Sequence, residues 1–186
     1  MSERLSDRGW NVERPDDPTP LHRAFREIHR VLSTLPADEQ AVALADLRHQ
    51  TGSTSAPRQA NLAMSRESVR SLAEGGLVSV GAHTVTHPVL SSLPPDAAAH
   101  EIRQSKQDLE QLLGQPVTSF AYPYGYRGAY TERNVADVRA AGITDAYSNF
   151  GGAVRAAADC HQLNRILVRD WSGEAFARRL RWAFGD

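Results

Sequence analysis

Two histidines four residues apart, His83 and His87, stand in the run Gly81-Ala82-His83-Thr84-Val85-Thr86-His87-Pro88 and are the side chains of this sequence best suited to holding a metal ion. On a helix such a pair shares one face, but Pro88 disfavours helical geometry at the residue before it, and the run follows a stretch of strand character. The pair therefore belongs to a loop at the C-terminal end of a strand. There, two imidazoles can supply two nitrogen ligands to a divalent cation and leave room for a carboxylate and an activated water. A hydrogen-bonded histidine pair without metal is the alternative that the spacing leaves open. The single cysteine, Cys160, excludes an internal disulfide and any cysteine-based zinc cage, so metal binding falls to His and carboxylates.

A second run, Phe120-Ala121-Tyr122-Pro123-Tyr124-Gly125, again sits where strand character gives way to a turn. All five tyrosines, Tyr122, Tyr124, Tyr126, Tyr130 and Tyr147, lie between positions 122 and 147. Aromatic faces with polar tips suit stacking on sugar rings, and packing in a core is an equal alternative. Pro123 and Gly125 fix the turn and let a ligand approach the backbone, so Tyr122, Pro123 and Tyr124 are the candidate substrate contacts. The N–H of Tyr124 can serve an oxyanion, which makes it the candidate catalytic group.

Both runs need strands behind them. Residues 77–84, 117–122, 143–149 and 164–170 have the β-branched, short character of buried strands, and helical patterns separate them. One is opened by Pro94 and Pro95 and closed by Gly114; another is capped by Thr131 and closed by Gly142; the last is capped by Ser172, with Phe176, Leu180 and Phe184 on one face. Strands alternating with helices imply a parallel α/β sheet or barrel with function at the strands' C-terminal ends. Residues 1–61 are different. Leu21, Phe25, Ile28, Leu32 and Leu35 mark a helix between Pro20 and Pro36, a second helix starts near Ala37, and 51–61 read as a linker. A short helix capped by Ser65 runs to Glu74.

The chain has 186 residues with 21 basic and 22 acidic side chains, a net charge of -1 that argues against nucleic-acid binding by phosphate neutralisation. No apolar run approaches the roughly 20 residues a membrane helix needs, and residues 1–17 lack the features of a secretion signal, so the chain as written is expected in the cytoplasm.

His83-Thr-Val-Thr-His87 with Gly-Ala before it and Pro88 after it, then a helix carrying Glu101, Ser105, Leu109, Glu110 and Leu113-Gly114, then Phe-Ala-Tyr-Pro-Tyr-Gly, together resemble the polysaccharide deacetylase family, also called the NodB homology or carbohydrate esterase 4 family. The resemblance covers residues 62 to about 181. It implies a distorted (β/α) barrel and an Asp-His-His metal site that hydrolyses N-acetyl or O-acetyl groups of a carbohydrate. On that basis His83 and His87 are the metal imidazoles, the metal is a divalent ion of the zinc type, and the Tyr124 amide binds the oxyanion. Leu163-Asn164-Arg165-Ile166 and Asp170-Trp171 resemble the closing strand and turn of one branch.

Three of the family's features are missing. No Thr-Phe-Asp-Asp-Gly motif supplies the base and third ligand; the only Asp-Asp, Asp16-Asp17, sits among prolines, where a solvated loop or helix lead-in is the better reading. No Leu-x-His-Asp motif supplies the acid, and His161 reads as a surface histidine. Phe120 stands where many members carry arginine. The expectation is thus a partial distorted (β/α) barrel at 62–186, preceded by a helical, insertion-like segment at 1–61. It carries either a deacetylase or a truncated, inactive remnant that binds saccharide or a partner chain. Homo-oligomer formation or a partner chain can then complete the barrel through the uncovered edge of the 77–84 strand.

Overall fold

The computed structural model describes residues 10, 15–53, 62–168 and 170–185. The chain divides into two compact units, Met1–Pro57 and Arg58–Asp186.

In the first unit, α1 (Pro20–Leu32) begins with its proline at the first helical position, where a missing N–H costs nothing, and α2 (Ala37–Thr51) ends on Gly52 in the left-handed conformation. Asp38 and Glu39 lie in the first turn of α2, and Arg48 and His49 in its last, so both ends suit the helix dipole. The apolar stripe expected to bury α1 is only half covered: Leu21, Phe25 and Ile28 are each more than 40% exposed. The buried residue is His22, whose ring Nδ1 meets Thr19 Oγ1 at 2.8 Å under the edge of Trp10. Of the expected linker, residues 54–61 lie outside the described part of the chain.

The second unit runs α3 (Arg66–Glu74), a short 3-10 turn (Leu90–Ser92), α4 (Pro95–Leu113), β1 (Ser119–Ala121), α5 (Glu132–Ala140), β2 (Asp145–Tyr147) and α6 (Gly173–Phe184). The expected caps hold: Ser65 Oγ accepts from Ser68 N, Ser172 Oγ from Ala175 N, and Thr131 forms a reciprocal capping box with Asn134. β1 and β2 pair in parallel, with Ser119 opposite Asp145, Phe120 opposite Ala146 and Ala121 opposite Tyr147. Ile102 and Ala98 of α4, Val135 and Val138 of α5, and Phe120 and Ala146 of the sheet form one buried cluster with Leu90, Val117, Tyr122 and Ile143.

Two of the four expected strands do not form as strands among the described residues. Of 77–84 only Ala82 joins the sheet, through a parallel bridge to Phe120; of 164–170 none does, and the bridge to Tyr147 comes from Leu163 one residue earlier. Arg169 lies outside the described residues. The reason is a lack of partners. A strand must satisfy ladder groups along its length, and these segments lie at the two edges of a sheet whose inner strands are three residues long. Their apolar side chains are correspondingly uncovered: Leu77 is 96% exposed and Leu167 and Val168 57% each. The spatial order, Ala82 beside β1 beside β2 beside Leu163, is nevertheless that of consecutive parallel segments, as a partial (β/α) barrel requires. On α6 the stripe of Phe176 and Phe184 is also uncovered, and Trp182 is 81% exposed. No helix among the described residues is long and apolar enough to cross a membrane.

The Thr131 cap starts the helix that covers the sheet, so Thr131→Ala should lower unfolding free energy by about 1 kcal/mol. Urea denaturation should show that loss without a change in the slope of the transition.

Candidate functional site

The bridge at Ala82 sets the site. Its N–H donates to Ser119 O at 2.8 Å, and its carbonyl accepts from Ala121 N at 2.9 Å. His83 therefore leaves the sheet beside the end of β1, and its ring Nδ1 lies 2.7 Å from Ala121 O. A carbonyl can only accept, so Nδ1 is the donor here, and Nε2 is the ring nitrogen left to face a metal.

The chain then turns sharply. Thr84 and His87 both have positive φ, 64° and 59°, which for a β-branched residue such as Thr84 is a true outlier. Two sets of hydrogen bonds hold this conformation. Thr84 Oγ1 accepts from His87 N at 3.1 Å. Glu101, from α4, accepts from Val85 N at 2.7 Å, Thr86 N at 2.9 Å and Thr86 Oγ1 at 2.7 Å. One carboxylate thus satisfies three donors of the loop with charge-assisted bonds. The result brings the His83 and His87 rings edge to face, 4.8 Å between centroids. Burial, and secondarily the nearby His83, pushes the His87 imidazole below its ordinary pKa and favours its neutral form.

The Tyr-Pro-Tyr-Gly run closes the other side. Gly125 N donates to Pro123 O at 2.6 Å across Tyr124, whose φ is 60°. This is the rare γ-turn of positive φ, a strained form. It is locked by Gly125: Asn149 N donates to Gly125 O at 2.8 Å, and a Cβ on Gly125 would stand 2.7 Å from Asn149 N. No other residue fits there. The Tyr124 ring lies edge-on to His87, 4.8 Å between centroids, and the Tyr124 N–H donates to no described group. Burial, with Tyr126 second, raises the Tyr124 phenol's pKa, so it stays protonated.

Of the residues singled out in the sequence, His83, His87 and Tyr124 are brought together. Tyr122 and Pro123 are not available to a ligand through their side chains: both are fully buried, with Tyr122 stacked on Tyr130 at 3.8 Å and its hydroxyl donating to His161 O at 2.9 Å. Here core packing prevails over sugar stacking. Asp17 is tied within the first unit to Arg26 at 2.8 Å, and Asp16 O accepts from the Trp10 indole, so this pair serves as a helix lead-in. His161 is not a free surface histidine either. Its Nε2 lies 2.9 Å from Ile143 O, which fixes the ring against the start of β2. Sequence reasoning missed two things: the clamp role of Glu101, whose signal is a carboxylate beside the buried Ile102 on the core-facing side of α4, and the grouping of Asp159, Cys160 and His161, whose donor atoms lie within 4.8 Å of one another. Among the described residues no carboxylate or thiol joins His83 and His87 in such a group.

The family model described as polysaccharide deacetylase matches residues 47–146. No curated protein sequence matches the chain. Solved structures do. The Streptococcus pyogenes deacetylase PplD, in complex with acetate, is 24% identical with a TM-score of 0.58, over 64% of this chain and 52% of that one. IcaB from Ammonifex degensii is 24% identical with a TM-score of 0.56, over 71% and 58%. A polysaccharide deacetylase from Bacillus cereus is 22% identical with a TM-score of 0.55, over 64% and 37%. At these identities the likeness is one of fold, and the chain spans about half the length of PplD.

Glu101→Ala should release the loop. Hydrogen exchange of the Val85 and Thr86 amides is expected to quicken by about tenfold or more, the scale of one lost hydrogen bond to a charged group. Amides in the middle of α4 should keep their protection.

Proposed function

The chain belongs to the polysaccharide deacetylase family, and from that premise we propose that it removes acetyl groups from a carbohydrate at the His83, His87 and Tyr124 site. The observation that carries this reading is the juxtaposition of the two imidazoles, one with its Nδ1 donating to Ala121 O, and a strained turn whose central N–H is unpaired among the described residues. In a deacetylation water adds to the acetyl carbonyl, the C–N or C–O bond to the sugar breaks, and acetate leaves. The negative charge that gathers on the carbonyl oxygen needs a donor already in place. The Tyr124 N–H takes that role, and the γ-turn supplies its preorganisation at a conformational cost of about 1–3 kcal/mol.

The donor set fits part of a divalent metal site. His83 offers Nε2, and burial lowers the His87 pKa, which favours its neutral form. Two imidazoles suit an ion of the zinc type, which when bound would polarise the acetyl carbonyl and activate water. Zinc and the N- or O-acetyl carbohydrate are accordingly part of this reading.

A second reading has its own observation. No carboxylate joins the pair among the described residues, and two imidazoles alone bind metal weakly. On this reading the chain keeps the family's saccharide surface without turnover.

The two readings separate on one preparation. Zinc should shift the ring ¹⁵N resonances of His83 and His87, and acetate release from an acetylated chito-oligosaccharide should fall at least about 100-fold in His83→Ala, a change the size that metal-site substitutions produce. Zinc shifts without acetate release would support the second reading. Ring resonances unmoved by zinc would sink the metal assignment in both.

A further inference from the structure

The second unit carries another group of metal-ligating side chains, away from the histidine pair. His83 follows the bridging residue Ala82, whereas His161 precedes the bridging residue Leu163. In a parallel sheet these positions lie toward opposite ends. The group is Asp159, Cys160 and His161, whose donor atoms lie within 4.8 Å of one another.

Consider first the imidazole. Its Nε2 donates to Ile143 O at 2.9 Å, since the carbonyl cannot donate, and the side chain is only 12% exposed. Nδ1 is left as the acceptor nitrogen. It lies 3.1 Å from Cys160 Sγ and 3.7 Å from Asp159 Oδ1. Metal–ligand bonds of about 2.0–2.3 Å at tetrahedral angles separate neighbouring donor atoms by about 3.4–3.6 Å. Both of these separations come within half an ångström of that, and the three donor atoms together lie within 4.8 Å of one another, so the thiol and the carboxylate close on an ion by side-chain rotation. The Asp159 carboxylate is oriented by the His161 N–H, which donates to Oδ1 at 3.0 Å. The backbone is fixed as well, because Cys160 O accepts from Ala146 N at 2.8 Å and His161 O accepts from the buried Tyr122 hydroxyl.

One group stands in the way of an ion. Arg139 Nε donates to His161 Nδ1 at 3.3 Å, and its NH2 donates to Asp159 Oδ2 at 2.7 Å; Gln162 Nε2 also reaches Oδ2 at 3.3 Å. The guanidinium therefore spends its charge on the lone pairs a cation would take. Its side chain is half exposed, and an ion pair so placed is weak and easily exchanged for water. Arg139 is a displaceable occupant.

We propose that Asp159, Cys160 and His161 form a second divalent-metal site, selective for thiophilic ions of the zinc class, in which the ion replaces Arg139. Oδ1 of Asp159, Sγ of Cys160 and Nδ1 of His161 are the three protein ligands, the thiol losing its proton to solvent as the metal–sulfur bond forms. The fourth position is open to water. A thiolate among the ligands favours zinc, cobalt or copper over magnesium or calcium. The site is independent of the one assigned to deacetylation, and neither needs the other.

Because Cys160 is the only cysteine in the chain, cobalt(II) alone is a specific probe. Titration of the full chain should produce a thiolate-to-cobalt charge-transfer band in the near ultraviolet, with an end point of one ion per chain at that band. The band should persist in a His83→Ala, His87→Ala variant. In that background Cys160→Ser should abolish it and weaken cobalt binding about 100-fold. Since Cys160 is exposed, this substitution leaves folding intact, which circular dichroism checks. Arg139→Gln should tighten binding by up to about fivefold, the strength of an exposed ion pair. Absence of the band, affinity unmoved by Cys160→Ser, or a half-equivalent end point from two chains bridged by one ion would each overturn the proposal.

Discussion

The parallel pairing around β1 is the constraint on which the rest of the second unit depends. β1 is three residues long, and each of its neighbours touches it over three residues or fewer. Yet this short ladder decides which loops meet. Ala82 bridges Phe120, so the chain leaves the sheet at His83 beside the residue where β1 ends, and two residues later the Pro123-Tyr124 turn begins. A slip of one residue in this pairing would turn His83 to the other face and lose the bond to Ala121 O. The register is held by burial: Phe120, Tyr122 and Ala146 are each 1% exposed or less, and shifting them would bring polar neighbours into the core.

Such a narrow base needs reinforcement where the loops begin, and that explains the concentration of strain. Thr84, His87 and Tyr124 are the non-glycine residues with positive φ among those described. Each costs free energy that a relaxed loop would not, and each is matched by a clamp from another element. Glu101 of α4 holds the histidine loop through three hydrogen bonds, and Asn149, just after β2, holds Gly125. Helix α4 is anchored in turn by Ile102, next to Glu101 and fully buried. Core packing thus reaches the site through adjacent residues: Ile102 fixes the helix, Glu101 fixes the loop, and the loop fixes the rings.

How much of this was legible in the sequence depended on the range of the interaction concerned. Ser65, Thr131 and Ser172 act on amides three residues away, and they sit where the sequence put them. The placement of His83 and His87 in a loop also followed from local rules, through Pro88. For Tyr122 the sequence leaves sugar stacking and core packing equal, because the choice is made by Tyr130 and by the His161 carbonyl, 39 residues distant. His161 reads as a surface histidine for the same reason, its partner being Ile143 O, 18 residues away. The two edge segments failed as strands although their composition was right. β-propensity describes how a side chain fits a half-buried pleated surface, and Val78, Leu167 and Val168 have none to fit.

That failure also bears on the two donor groups. At the C-terminal end of the ladder, the histidine pair depends on a segment that is in the sheet for one residue only, Ala82. Covering the exposed Leu77 and Val78 with another strand would extend the pairing upstream of Ala82 and stiffen the base of the loop. At the other end, Cys160 and His161 are fixed without any such help, by Ile143 O, Ala146 N and the Tyr122 hydroxyl, all from buried residues in or beside the sheet. Preorganisation of the donor atoms therefore differs between the two ends for a structural reason. The imidazole pair would gain from whatever pairs with the edge before it, whereas the Asp-Cys-His backbone is already held by the chain's own core.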